Sequence, residues 1–283
     1  MLKRQLVLAL AVVALAAGCA RAEEWDKTFT VTGKPTLRLK ADDGSIEVST
    51  WTRQEMRVRV VTSGWTIGSG GIQITDTQSG DVVDVLVRLP RMRWSSGNRW
   101  VRTEVTVPAE ATLDLYTSDG HIESTAVSGN IRYRTGDGHI RVNGLRGDVS
   151  LRTGDGIIEA GALDGVVVAE TRDGQVSLTG RFDALNVRAS DGRITVEALR
   201  GSQMARNWTL RTSDGRIQVR LPADFKATLD ARTNDGRINV DFEVSVRGAI
   251  NRNAVRGDMN GGGTGTLTLR TSNGSIRIER GPR

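Results

Sequence analysis

One short segment of the chain concentrates side chains that could bind a ligand. Residues 88–102 read RLPRMRWSSGNRWVR and contain no acidic residue. Arginine and tryptophan together favour polyanions, the faces of sugars or a membrane headgroup region. The candidate binding residues are Arg91, Arg93, Trp94, Arg99, Trp100 and Arg102. The alternative is a β-hairpin with residues 95–98 at its tip, whose tryptophans pack across the two strands.

The rest of the chain offers no constellation of residues for catalysis. His121 and His139 are the only histidines, and a zinc ion would need further ligands beside them. The acidic residues are spread along the chain rather than clustered as in polysaccharide-cleaving enzymes. Asp155 also lies three residues before Ile158, an offset that differs from calcium-binding nonapeptide repeats. The sequence therefore predicts a non-enzymatic protein with no cofactor and no metal site.

The segment 1–18 predicts an export signal. A positively charged start precedes an apolar run at residues 6–17, which is too short to cross a bilayer comfortably. The following Ala16–Cys19 resembles the lipobox of bacterial lipoproteins, although alanine stands where leucine is usual. Cys19 is the only cysteine and would carry the lipid. Cleavage after Ala22, at an A-x-A sequence, is the alternative.

Export and charge together restrict the partners that we expect. The net charge of +6 is modest for 283 residues and does not by itself argue for nucleic acid, and export argues against it. We expect a protein anchored in a bacterial cell envelope through lipidated Cys19, in contact with an envelope protein or a polyanionic glycan. If the chain is instead cleaved after Ala22, it would be periplasmic or secreted.

A recurring dipeptide divides the chain into equal units. Asp-Gly occurs at positions 119, 137, 155, 173 and 191, always at the same interval (137 − 119 = 18), and less strictly at 214, 235 and, as Asn-Gly, 273. Within a unit, apolar residues lie two apart and recur nine positions later, as at Ile131, Tyr133 and Ile140. A spacing of two indicates a strand, and Asp-Gly suits a turn because both residues tolerate positive φ.

Two all-β architectures fit these units. A meander of hairpins could use Asp-Gly turns, but nothing in a meander holds the loop lengths constant. Stacked coils must keep their length, because each residue lies over its counterpart about 4.8 Å away. The sequence therefore predicts a right-handed parallel β-solenoid with about 18 residues per coil. The predicted organisation is a signal peptide at 1–18, a tether at 19–27, an N-terminal β segment acting as a cap at 28–110 and solenoid repeats at 111–283.

Threonine and arginine also recur at fixed distances from the turns. Threonine commonly stands two residues before the turn residue, where a β-branched side chain suits a pleated surface. Arginine stands three residues before it, and we expect these arginines to neutralise the stacked aspartates. They are Arg134, Arg152, Arg188, Arg211, Arg232 and Arg270.

The recurring T-x-D-G-x-I turns, with fuller copies beginning at Val105 and Val219 and an early one beginning at Thr36, resemble the bacterial DUF4097 family. The resemblance covers about residues 28–281. It implies a β-strand-repeat fold of the kind called adhesin-like, and the family supplies no catalytic residues to carry over.

Two functions from different classes remain open at this point. The first is a structural or adhesive envelope lipoprotein that presents a long, arginine-bearing face of the solenoid to a partner. The second is an envelope sensor or regulatory accessory that binds a ligand or protein through the Arg/Trp loop at 88–102.

Overall fold

The computed structural model describes residues 22–90, 99–246 and 251–281, and every regular element in these ranges is a β-strand. The export signal and Cys19 lie outside the described residues. The strands are β1 (Glu23–Thr30), β2 (Thr36–Asp43), β3 (Ser45–Trp51), β4 (Glu55–Ser63), β5 (Gln73–Ser79), β6 (Val82–Arg88), β7 (Trp100–Pro108), β8 (Thr112–Asp119), β9 (Ile122–Thr125), β10 (Ser128–Asp137), β11 (Ile140–Asn143), β12 (Arg146–Ala198), β13 (Trp208–Arg211), β14 (Ile217–Leu221), β15 (Ala227–Asp235), β16 (Ile238–Val240), β17 (Val244–Val246), β18 (Ala254–Met259), β19 (Thr266–Asn273) and β20 (Ile276–Arg280). The described residues contain no helix long and apolar enough to cross a membrane.

The central strands stack in parallel, as the constant spacing predicts. Ile131 in β10 pairs with Leu113 in β8 and with Val149 in β12, so residues one repeat apart lie side by side. The second half of each unit behaves the same way, since Ile140 in β11 pairs with Ile122 and Ile158. Hairpins would have paired neighbouring strands antiparallel, so the meander is excluded and the all-β, solenoid-like architecture is confirmed.

Alternate residues of each strand fill a continuous interior. Ile131 and Tyr133 are fully buried, whereas Arg132 between them is exposed. The Tyr133 hydroxyl is satisfied inside this core by the hydroxyl of Ser124 at 2.9 Å, and burial raises the pKa of the Tyr133 phenol. The period-two pattern read from the sequence therefore separates the core from the outer faces.

The threonines before the turns hold adjacent coils together at the corners. The Thr135 hydroxyl donates to the carbonyl of Gly120 at 3.0 Å, and the Thr153 hydroxyl donates to the carbonyl of Gly138 at 2.9 Å. These side chains are buried, so each hydroxyl needs a hydrogen-bond partner and finds it in a carbonyl of the neighbouring coil. The same contact recurs at Thr117, Thr171, Thr212, Thr233 and Thr271.

The order of the coils in space departs from their order in the chain at both ends. Near the C-terminus, β19 lies between β13 and β15, and β20 lies between β14 and β16. Near the N-terminus, β2 lies between β6 and β8, and β3 lies between β7 and β9. The coils at 36–51 and 266–280 are therefore each enclosed by a coil on either side.

Antiparallel strands protect the outermost coils. β4 pairs with β7 and β1 pairs with β4, while β5 pairs with β6. At the opposite end, β18 pairs with β15, and the short β17 pairs with β18. Such strands shield backbone groups that could otherwise template aggregation, and short edge strands serve the same purpose.

Candidate functional site

A groove of about 840 Å³ runs along one outer face of the solenoid. We call it the arginine groove. Of the charged residues that line it, six are arginines and one is acidic. They are Arg134, Arg152, Glu170, Arg172, Arg188, Arg211 and Arg270.

The parallel register places most of these arginines in a column. Arg134 pairs in register with Arg152, and Arg211 pairs with both Arg188 and Arg270. Glu170 occupies the equivalent position in the unit between those of Arg152 and Arg188, so it takes the intervening place in the column. Each step along the column is one coil, or about 4.8 Å. Because the residues on either side of each arginine point into the core, the guanidinium groups point outward.

The arginine column pairs mainly with carboxylates outside the turns. Arg134 contacts Asp114 at 2.8 Å, and Arg152 contacts Glu170 at 3.1 Å. Arg270 contacts Asp230 at 2.5 Å, and Arg232, which continues the column beyond the groove, reaches Asp230 at 3.4 Å. The expectation that the column neutralises the turn aspartates was therefore wrong. These arginines project from the flat strand face, whereas the turn aspartates lie at the corner, so carboxylates on the face are nearer.

Two members of the column have no acidic partner. Arg188 and Arg211 are exposed, lie side by side in register, and form no ion pair with any described residue. Their guanidinium groups face the groove without an internal anion. They are the part of the site best placed to meet a ligand from outside.

The groove continues toward the N-terminal end into a second hollow of about 510 Å³, and Tyr116 and Arg134 line both. The amino group of Lys40 lies 5.5 Å from the centre of the Tyr116 ring, and the Arg134 guanidinium lies 5.9 Å from it. Both cations therefore make cation–π contacts with the Tyr116 ring. The hollow also contains carboxylates, including Asp84 and Asp114, so its charge is mixed.

The described residues of the predicted Arg/Trp loop, including Arg99, Trp100 and Arg102, do not line this groove. Arg91, Arg93 and Trp94 fall outside the described residues. Trp100 and Arg102 lie in β7, which pairs in parallel with β3. The groove residues Tyr116 and Arg134 lie in β8 and β10, which form a different ladder of parallel strands.

The described part of the loop nevertheless presents aromatic and cationic groups. Trp100 is 41% exposed, and the Arg102 guanidinium lies 5.6 Å from its ring centre while also contacting Glu47 at 3.0 Å. The Arg99 guanidinium lies 4.1 Å from the centre of the Trp65 ring. Arg99 and Arg102 therefore already have partners within the protein.

The two histidines, which lie one repeat apart, stack on each other. The rings of His121 and His139 lie 5.0 Å apart and 5° from parallel. Each Nδ1 accepts a backbone N–H from the next coil, at His139 and Ile157 respectively, both at 3.2 Å. These bonds give the rings a structural role at the corner. Within the described ranges, no three His, Cys, Asp or Glu side chains are arranged to hold a metal ion.

The repeated corner, with its threonine, aspartate and glycine, is the feature that a family comparison can test. The model of the Toastrack DUF4097 family matches residues 40–279. The chain belongs to the Toastrack DUF4097 family. The resemblance read from the T-x-D-G-x-I turns is thereby confirmed.

Solved structures similar to this Toastrack chain come from several bacteria. A "putative adhesin" from Bacteroides fragilis is 8% identical, with 90% of this chain and 97% of that chain covered and a TM-score of 0.46. A "putative lipid binding protein" from Parabacteroides distasonis is 11% identical, with 92% and 97% covered and a TM-score of 0.37. A "putative cell adhesion protein" from Clostridium sporogenes is 12% identical, with 92% and 100% covered and a TM-score of 0.29. The comparison with curated proteins gives no match.

The corner aspartates of this Toastrack chain form a ladder of like charges. Asp191 is in register with Asp214, which is in register with Asn273. Desolvation at the corner, followed by the carboxylates of Asp214 and Asp173, raises the pKa of Asp191. The Asn273 amide instead donates a hydrogen bond to Asp214 at 2.5 Å. Adjacent carboxylates in this ladder therefore repel one another, whereas a neutral amide at the same position forms a hydrogen bond.

Replacing Asp191 with asparagine is expected to raise Tm at neutral pH. The folded protein holds a proton on Asp191 more tightly than the unfolded chain does, so the ionised side chain destabilises the fold above that pKa. The advantage of the variant should shrink as the pH falls through the pKa of the carboxyl group, where wild-type Asp191 becomes neutral too. Thermal unfolding followed by circular dichroism, from neutral pH down to acidic pH, measures both effects.

Asp155→Asn is the matched control for this substitution. Asp155 pairs with Arg172 at 3.1 Å, and it occupies the equivalent turn position two units earlier in the repeat. Its replacement removes an ion pair as well as a charge, so we expect no gain in Tm. Equal stabilisation by both variants would contradict the assignment of strain to Asp191.

Proposed function

We propose that the protein is a non-enzymatic binding protein of the bacterial cell envelope that holds a surface partner in the arginine groove. In this proposal it is exported and anchored through a lipid on Cys19. It is built as a right-handed solenoid with one repeat unit per coil and an N-terminal cap. Membership of the Toastrack DUF4097 family is consistent with a binding role. The adjacent and outward-facing Arg188 and Arg211 are the observation that carries the proposal.

The decisive variant removes these two charges together. We expect Arg188→Ala/Arg211→Ala to weaken adsorption of the labelled protein to isolated envelopes at least about tenfold, since hydrogen bonds to charged groups contribute roughly 1.5–3 kcal/mol each. The matched control is Arg146→Ala/Arg200→Ala. Both control residues are exposed, and neither lines the groove. If both variants weakened adsorption equally, the loss of positive charge alone would explain the effect, and the proposed role of the groove would be overturned.

A second candidate function is an envelope sensor or regulatory accessory that binds through Arg91, Arg93, Trp94, Arg99, Trp100 and Arg102. The 41% exposure of Trp100 favours it. Trp100→Ala discriminates the two candidates, because it should weaken binding only if the Arg/Trp loop is the contact. Adsorption that survives the groove variant and fails with Trp100→Ala would favour the sensor.

The proposed anchor is tested separately from the binding face. Cys19→Ser should release the protein from the membrane fraction, and globomycin should block its processing if Cys19 is the lipidation site. Cleavage after Ala22 instead would give a periplasmic or secreted protein that is unaffected by either treatment.

A further inference from the structure

We infer that the occupant of the arginine groove is an extended acidic glycan whose carboxylates bind successive arginines along the solenoid axis. This inference rests on the proposed function and names its ligand. Its basis is the linear arrangement of charge in the groove, together with one carboxylate that the protein itself places in the arginine column.

Most of the arginines in the groove are neutralised by carboxylates of the protein itself. Six arginines line it, and four of them pair with Asp114, Asp155, Asp230 and Glu170. The positive charge that remains belongs to Arg188 and Arg211, which are adjacent members of the column. A ligand that pairs each of these arginines with its own carboxylate carries acidic groups about one coil, or about 4.8 Å, apart along the axis. A polymer with regularly spaced acidic groups meets this condition better than a single compact anion.

Glu170 shows which anion the column accommodates. It occupies a column position between two arginines in the repeat and contacts Arg152 at 3.1 Å. The flat guanidinium group can match the two oxygens of a carboxylate, and arginine–carboxylate pairs frequently have this geometry. A carboxylated sugar placed over Arg188 and Arg211 would extend the same arrangement along the groove.

The remaining lining favours a sugar over a nucleic acid. Ser190, Ser213 and Ser272 line the groove beside its corner edge, and their hydroxyls can exchange hydrogen bonds with sugar hydroxyls. Tyr116 is the one aromatic residue among the described residues of the lining, and Lys40 and Arg134 lie over its ring. Single-stranded nucleic acids bind largely by stacking bases on successive aromatic rings, and this groove has no such series.

The length of the column sets the length of ligand that it can hold. From Arg134 to Arg270 the column takes five steps, which correspond to about 24 Å. The paired arginines Arg134, Arg152 and Arg270 keep N–H donors beyond those that contact their internal carboxylates. Affinity should therefore rise as an acidic oligosaccharide lengthens from Arg188 and Arg211 over this span and then level off, because further sugars reach beyond the arginines.

The probe that tests this inference is a series of oligogalacturonates from the dimer to the decamer, measured by isothermal titration calorimetry with the full-length protein. We expect binding to strengthen at least about tenfold between dimer and hexamer, to weaken with added salt as surface electrostatics are screened, and to be absent with neutral dextran. Arg188→Ala/Arg211→Ala should lose at least about tenfold in affinity for the hexamer, whereas Arg146→Ala/Arg200→Ala should stay within about twofold of wild type.

A second variant makes the test independent of any loss of folding. Glu170→Gln removes the internal carboxylate and frees Arg152 for the ligand, so hexamer affinity should rise about threefold. A decrease, or no change, would overturn the assignment of the arginine column as the carboxylate site.

The outcomes separate this inference from the proposed function. No hexamer binding at low salt, combined with envelope adsorption that depends on Arg188 and Arg211, would overturn the glycan and leave the groove as a binding face for another partner. Binding of a sulfated glycan or a DNA oligonucleotide with no binding of the uronates would also overturn it. Envelope adsorption that is unchanged in both the groove variant and the control would overturn the proposed function itself.

Discussion

Replacing Gly156 with alanine is expected to lower the free energy of unfolding by about 3 kcal/mol, at the upper end of the usual cost of overpacking. A Cβ atom on Gly156 would lie 1.9 Å from the carbonyl oxygen of Gly138 in the neighbouring coil. That oxygen accepts the hydrogen bond of the Thr153 hydroxyl, so it cannot move without separating the two coils at the corner. Urea unfolding followed by circular dichroism measures the change.

Gly161→Ala provides the matched control in the same strand. Its Cβ would meet only the side chain of Asn143, whose oxygen would lie at 3.0 Å, and an exposed side chain can rotate away. We expect a change within about 0.5 kcal/mol, as for most surface substitutions. If Gly161→Ala destabilised the protein as much as Gly156→Ala, loss of backbone freedom rather than the contact between coils would be the cause.

The corner glycines show how far the sequence can be taken. The constant spacing of Asp-Gly was enough to predict parallel stacking, because only stacked coils must keep their length. The same dipeptide also suggested that glycine is needed for positive φ, and this holds at Gly174, where φ is +142°. Gly138 and Gly156 do not adopt the left-handed region. They require glycine because a Cβ atom at either position would collide with a backbone carbonyl oxygen of the neighbouring coil. That requirement depends on the distance between coils, which the sequence does not express.

The arginine groove was partly predictable in the same sense. The recurrence of arginine three residues before each turn identified the column from the sequence. Applying the same position to the preceding unit, three residues before Asp119, would also have found Tyr116. The ion pairs of the column could not be predicted from the repeat spacing, because Asp114 lies 20 residues from Arg134 and Asp230 lies 40 from Arg270. Lys40 joins the column only because β2 pairs with β8 from a distant part of the chain. The excess charge at Arg188 and Arg211 becomes evident once these pairings are known.

Deleting residues 266–283 is expected to unfold the C-terminal part of the solenoid while leaving the coils before it intact. In a solenoid stacked in chain order, removing the last coil would only shorten the stack. Here it removes the coil between β13–β14 and β15–β16, including four fully buried side chains, Leu267, Leu269, Ile276 and Ile278. Burial of such side chains contributes roughly 1.5–3 kcal/mol each, which together is comparable to the stability of a typical domain.

Hydrogen exchange followed by mass spectrometry locates this loss. Amides of β13–β16 should lose protection, whereas those of β8–β11 should keep it, because each coil of a solenoid depends mainly on its neighbours. Direct closure of the gap would require β15 to move by one coil, or about 4.8 Å, while it remains paired with β18. A synthetic peptide of residues 266–281 added to the truncated protein should restore protection. Full protection without the peptide would mean that the two flanking coils pair directly, and the enclosed position of the last coil would then contribute little to the fold.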